Sequence, residues 1–168
     1  MIKLFASVCI EAPAEVVWAQ LATLEDIQVW SEAVVQARCE GPIAQGVGAE
    51  RTCELVSNRT IQERWTAWDE GRSFEYEGFG IPMMRRASNR WSVVSQGVQS
   101  LLVSEAELEL KGGLFGRLLE PMLGPLMRRM APGALASFKY LVERDTHTTA
   151  RPQNSQERPQ DARVCFRM

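Results

Sequence analysis

The sequence predicts an α+β domain in which a curved antiparallel sheet of about seven strands wraps around one long C-terminal helix. Three observations carry this expectation. From residue 34 to residue 110 the hydrophobic period is two over six successive segments joined by short polar turns, the pattern of an antiparallel meander. A seventh β-branched and aromatic segment opens the chain, and two short helical pieces separate it from the other six. Beyond residue 114 the period returns to helical. That segment is the one long apolar face able to cover the sheet, so the sheet must curve around it.

The first strand is expected over residues 2–11, and it stops at Pro13, which suits the first position of a helix because that N–H would be unbonded anyway. Val17, Leu21 and Leu24 fall at helical spacing, and "LEDIQVW" adds a second short piece ending near Trp30. Strands are expected at about 34–40, 49–56, 60–68, 72–78, 87–95 and 99–110. Asp69-Glu70-Gly71 and Ser95-Gln96-Gly97 provide tight turns, and "GFGIP" a looser one. In the last helix Met127, Met130, Ala134, Phe138 and Leu141 share one face. Pro121, Pro125 and Pro132 each lack a backbone donor, so a broken lead-in from about Leu114 and a kink or restart near Pro132 are expected. From Thr146 periodicity is lost and Pro, Gln, Arg and Ser accumulate. The domain is therefore read as residues 1–145, with 146–168 as a disordered tail.

Composition excludes several classes of function. With 19 Lys+Arg against 21 Asp+Glu the formal charge is −2, so no overall basic field draws the chain to a polyanion and nucleic acid is not an expected partner. Cys9, Cys39, Cys53 and Cys165 have neither C-x-x-C spacing nor the density of a disulfide scaffold, which fits reduced thiols in a cytoplasm. "MIKLFASVCIEAP" reads as a strand rather than a cleaved signal, and no apolar run is long enough to span a bilayer, so stable membrane insertion is not expected. His147, the single histidine, falls in the tail, which removes histidine-dependent triads and zinc sites. "GPIAQGVG" precedes a strand and reads as a turn, not a phosphate loop. Neither a metal nor a nucleotide cofactor is expected. The pairs Arg85-Arg86 and Arg128-Arg129 read as solvated faces, with an acidic surface as the alternative partner.

The stretch "TIQERWTAWDEGRSFEYEGFG" puts charge on both faces of a strand. Ile61, Glu63, Trp65 and Ala67 lie on one side, and Gln62, Arg64, Thr66 and Trp68 on the other. In the preceding strand Arg51, Cys53 and Leu55 form the more apolar face, which points inward. A turn near Ser57-Asn58-Arg59 would set Cys53 opposite Glu63 and Arg51 opposite Trp65, making Arg51 and Glu63 diagonal neighbours on the inner side. Such a pair would satisfy itself in an apolar setting and leave hydrogen-bonding capacity for a ligand oxygen; the alternative is a plain salt bridge at the rim or on the outer face. Phe74 and Tyr76 share a face, as do Asn89 and Trp91, giving an aromatic inner wall with a few polar tips. Tyr76 is suited to donate to a ligand carbonyl and Asn89 to orient it, unless Tyr76 merely reaches water at the sheet edge. Met127, Met130 and Phe138 face this wall from the terminal helix, as pocket lining or as core packing.

"IEAPAEVVWAQLATLEDIQVW", "GVGAERTCEL", "ERWTAWDEGRSFEYE", "NRWSV" and "GRLLEPMLGPLMRRMAPGALASFKYLVE" together resemble the polyketide cyclase/dehydrase-like branch of the START-related, Bet v 1-like superfamily, over roughly residues 3–144. The resemblance implies a helix-grip fold with a deep apolar cavity between sheet and C-terminal helix, and it puts Trp30 at the cavity mouth, where the alternative is a core aromatic. The function it implies is binding of a hydrophobic small molecule, a lipid, quinone, isoprenoid or aromatic polyketide. Two alternatives stand beside it. One is a cyclase/aromatase or dehydratase in which Glu63 is general acid/base and Arg51 and Tyr76 polarise a carbonyl. The other is an interaction module using the "GGLFGRLLEPMLGPLMRRM" segment against a partner or, transiently, a membrane surface.

Overall fold

The computed structural model describes residues 1–150. Seven strands, β1 (Ile2–Ile10), β2 (Val34–Glu40), β3 (Glu50–Leu55), β4 (Thr60–Asp69), β5 (Ser73–Phe79), β6 (Met84–Gln96) and β7 (Gln99–Leu110), form one antiparallel sheet in the order β1-β7-β6-β5-β4-β3-β2. Between β1 and β2 come α1 (Ala14–Ala22), a 3₁₀ turn (Leu24–Asp26) and α2 (Ile27–Trp30); the long helix α3 (Leu114–Ala150) follows β7. The expected curled sheet around a terminal helix is therefore the observed one.

Irregularities in β2, β4 and β6 break the register between Val34 and Gln36, Trp65 and Ala67, and Met84 and Arg86. Each adds a residue on one strand, which bends it and increases its twist, and so helps to curl the sheet. The β4 bulge also overturns a sequence expectation. Because it consumes one extra residue, the alternation changes phase after Trp65, and Trp68 turns to the inside instead of joining Gln62 and Arg64 outside; it pairs with Phe74 and packs on the core. The β3–β4 register is corrected as well: Arg51 lies opposite Glu63 and Cys53 opposite Ile61. The cause is Asn58, which takes a left-handed φ of 56° and donates its N–H to Leu55 O at 2.9 Å, centring the turn one residue earlier than expected. Gly97 similarly takes φ +78° at the first position of the two-residue β6–β7 hairpin, a conformation favouring glycine.

α3 runs without interruption through Pro121, Pro125 and Pro132, against the expected break. Pro121 and Pro125 lie on the exposed side, where water can serve the carbonyl whose helical donor is missing. The buried face is Leu135, Phe138, Leu141 and Val142; Ala134, placed with it by spacing, is exposed, and Met127 is half-buried. The helix also continues past the boundary read at residue 145, with Thr146 Oγ1 donating to Val142 O at 2.7 Å. Residues 151–168, expected to be disordered, lie outside the described residues.

Polar contacts anchor the helices to the sheet. The buried Lys139 Nζ donates to Cys9 O and to Glu143 Oε1, both at 2.7 Å, and Glu143 Oε1 accepts the Glu11 N–H at 2.8 Å, which fixes α3 to the end of β1. At the free edge of the sheet, the N–H groups of Ala37 and Cys39 on β2 donate to Gln28 Oε1 (3.1 Å) and Glu25 Oε1 (2.8 Å).

Candidate functional site

On the inner side of the sheet, beneath the 3₁₀ turn, β3 and β4 bring a complete ion pair into the interior. Arg51 and Glu63 are 5% and 6% exposed. Arg51 Nε and Nη2 both donate to Glu63 Oε2, at 2.8 and 2.5 Å, and Nη1 donates to the carbonyl of Leu24 in the 3₁₀ turn. The guanidinium carbon lies 5.0 Å from the centre of the Trp65 ring. Burial works against the arginine's charge, but the Glu63 carboxylate, helped by Cys53 and Tyr76, more than offsets it and raises the Arg51 pKa. Cys53 Sγ is 3.6 Å from Glu63 Oε2; burial first and that carboxylate second push its thiol up to about 12. Every hydrogen bond made by Glu63 goes to Oε2, so Oε1 has no protein partner among the described residues.

A second polar group crosses β5, β6 and β7. Ser104 Oγ donates to Asn89 Oδ1 at 3.0 Å, and Asn89 Nδ2 donates to the Tyr76 hydroxyl at 3.4 Å. Tyr76 is held protonated because burial, and after it the Glu63 carboxylate, raises its pKa. In this orientation the phenol accepts from Asn89 and its own proton is unspent. Trp65, paired with Tyr76 across β4 and β5, has a buried indole N–H with no partner among the described residues. Arginine and indole nitrogens only donate, so the site offers donors from Arg51, Trp65 and Tyr76 and one open acceptor, Glu63 Oε1.

The apolar wall is continuous with these groups. Trp65, Phe74, Trp91 and Phe138 are buried in one cluster, with Trp30 and Tyr76 packed against it. Trp30 meets Phe138 edge-on at 5.4 Å and lies 5.8 Å from Trp91, tying α2 to α3 and β6. Phe74 stacks on Trp68 at 5.5 Å. The indoles of Trp68 and Trp18 donate to the two oxygens of Glu70, at 2.6 and 2.9 Å, and these bonds hold the Glu70 pKa low. Of the residues singled out from sequence, Arg51, Glu63, Trp65, Phe74, Tyr76, Asn89, Trp91, Phe138 and Trp30 come together here; Met127 sits half-buried farther along α3. The Leu24 carbonyl, Ser104, Glu70 and Lys139 were not singled out. Only Lys139 had a legible signal, its helical i,i+4 spacing from Glu143.

The same architecture recurs in solved structures. A START superfamily protein from Mycobacterium smegmatis superposes with a TM-score of 0.70 at 14% identity, over 86% of this chain and 99% of that one. The Zhui aromatase/cyclase from Streptomyces sp. R1128 gives 0.67 at 18% identity (86% and 94% covered). A norcoclaurine synthase point mutant from Thalictrum flavum gives 0.62 at 17% (86% and 95% covered). At these identities the likeness shows the fold. No curated protein sequence matches the chain. The family model described as polyketide cyclase / dehydrase and lipid transport matches residues 1–143, nearly all of the described chain. By that match, and by the curled sheet closed on its terminal helix, the chain belongs to the polyketide cyclase/dehydrase and lipid transport family.

Proposed function

We propose that the protein binds a hydrophobic small molecule between sheet and α3, with the ligand's oxygen-bearing end at Arg51, Glu63, Trp65 and Tyr76. Family and fold point to ligand binding of the START-related kind or to polyketide cyclase activity. The observation that carries the binding reading is the cluster of unspent donors inside an aromatic wall: the buried Trp65 N–H and the Tyr76 proton sit beside a closed ion pair and have no acceptor among the described residues. A carbonyl or quinone oxygen supplies that acceptor, and rings or an alkyl chain suit Trp91, Phe74 and Phe138. The described cysteines, Cys9, Cys39 and Cys53, are free thiols, which supports a reducing, cytoplasmic setting.

The test is native mass spectrometry of protein purified from its own host, with extraction of what copurifies, followed by displacement of an apolar fluorescent dye by quinones and fatty acids. Stoichiometric dye binding, and a loss of about 1 kcal/mol or more of quinone affinity in Tyr76→Phe, are expected. Flat titrations across the panel refute the reading. A second reading, a cyclase or dehydratase, is favoured by one observation: Glu63 Oε1 is an open carboxylate oxygen beside the donors that would polarise a carbonyl. In that case Glu63→Gln abolishes turnover of a poly-β-ketone thioester while leaving its binding measurable.

A further inference from the structure

The outward side of α3 carries apolar residues that nothing in the described chain covers. Leu118, Met122 and Leu126, at four-residue spacing, are 77%, 69% and 58% exposed, and Tyr140 continues the same side at 69%. Around the helix axis they point away from the side of the buried Leu135, Phe138 and Val142, and the exposed apolar run is concentrated at 118–126, N-terminal to that buried face. A helix that only needed to pack on its own sheet would carry polar residues outward. Arg129 sits within this stripe and Arg128 at its edge, its guanidinium reaching back over Gly124 toward Ile2; both are exposed and have no ion pair among the described residues, although the sheet pairs most of its surface arginines: Arg38 with Glu54, Arg64 with Glu50, Arg85 with Glu109 and Arg86 with Glu77. The acid nearest in sequence, Glu120, is taken up by the Met1 ammonium.

We infer that this face of α3 docks on an anionic lipid surface, lying in the interface plane with Leu118, Met122 and Leu126 in the acyl boundary and Arg128 and Arg129 among the headgroups. Apolar side chains on one side of a helix with unpaired arginines beside them supply the two attractions that interfacial binding combines. No helix in the described chain is long and apolar enough to cross a membrane, so the contact is peripheral. The charge distribution decides against the other occupants. The stripe from Leu118 to Tyr140 is centred on Arg129, so a second copy packing antiparallel on it would bring two Arg128-Arg129 pairs together. The chain's own last segment, residues 151–168, carries four arginines against Glu157 and Asp161 and has the same sign as the face.

This inference does not depend on the interior site, and flotation of the full chain tests it. Vesicles of phosphatidylcholine mixed with phosphatidylglycerol should carry the protein at low salt, and vesicles of phosphatidylcholine alone should carry far less. Leu118→Glu with Met122→Glu should abolish flotation. Arg128→Gln with Arg129→Gln should lower partitioning roughly 25-fold, each basic side chain at an anionic surface being worth about fivefold. All four side chains are exposed, so circular dichroism and apolar dye binding should match the parent for both variants. Absence of flotation, equal flotation on neutral vesicles, or unchanged partitioning in the Leu118/Met122 variant overturns the proposal. A concentration-dependent dimer that Leu118→Glu dissolves also overturns it, and assigns the face to a second copy.

Discussion

Replacing Glu63 by glutamine keeps its shape and removes one charge from a pair whose side chains are only 5% and 7% exposed. An exposed ion pair would register a change within about 1 kcal/mol, whereas stranding one member of a buried pair costs roughly 3–5 kcal/mol. Within that range the two single variants should differ, because each leaves a different remainder. After Glu63→Gln, Arg51 retains the Leu24 carbonyl and the Trp65 ring, so the loss should fall near the lower end, about 3 kcal/mol. After Arg51→Met, Glu63 keeps only the weak Cys53 contact at 3.6 Å and the Leu24 carbonyl loses its donor, so the loss should approach about 5 kcal/mol. The double variant strands no charge; its remaining costs are the unpaired Leu24 carbonyl and the buried amide at position 63 left without its arginine, roughly 1–3 kcal/mol each. The loss in the double should therefore fall well short of the roughly 8 kcal/mol that additivity would give, with a large favourable coupling in the cycle. Equilibrium urea unfolding followed by tryptophan fluorescence measures all four proteins. Single variants as stable as the parent, or strictly additive losses, refute the closed interior pair.

The Cys53 thiol, pushed up from 9.0 to about 12, should stay protonated in the folded protein while the unfolded chain releases its proton above about pH 9. Its contribution to stability is thus constant below that pH and falls as pH rises from 9 towards 12, by at most about 1.4 kcal/mol per unit; comparing parent with Cys53→Ala by urea unfolding at pH 8 and 10.5 isolates it. In a Cys165→Ser background, aromatic disulfide reagents at pH 8 should modify Cys53 only at the unfolding rate, and fast labelling of all three remaining thiols would contradict its burial. Lys139→Met removes the donor to Cys9 O and the partner of Glu143, and should cost about 2 kcal/mol while speeding amide exchange at Glu11; unchanged exchange there would show that the contact does not hold α3 to β1.

The fold was legible because its strands obey a period of two and its turns contain the residues that turns require; Arg51, Glu63 and Trp65 were assigned to one face on that ground alone. Where the reading failed, a local departure from periodicity was responsible. One extra residue near Thr66 turned Trp68 inward, and no pattern in the surrounding residues distinguishes a bulge from regular alternation. Asn58 shifted the β3–β4 register by a single choice of φ, converting an expected diagonal into a direct Arg51–Glu63 pair without moving either to the other face. The prolines of α3 were overweighted, since their cost depends on whether the freed carbonyl meets water, a fact of position rather than of composition. Contacts made through backbone atoms, such as Arg51 with Leu24 O or Lys139 with Cys9 O, leave no trace in side-chain spacing at all.

The bonds from Gln28 and Glu25 to the N–H groups of Ala37 and Cys39 make the segment before β2 a stopper on the sheet's open side. An uncovered strand edge is a template on which another chain can add a strand, and here the cover is a four-residue helix and one 3₁₀ turn. If the proposed ligand enters past Trp30, that same segment must move, and each opening excursion would briefly offer a bare edge to neighbouring copies. Ligand exchange and strand-to-strand polymerisation should therefore compete from one common open state: light scattering of concentrated protein should grow faster in a Glu25→Ala, Gln28→Ala variant, and a tightly bound occupant should suppress the growth in both.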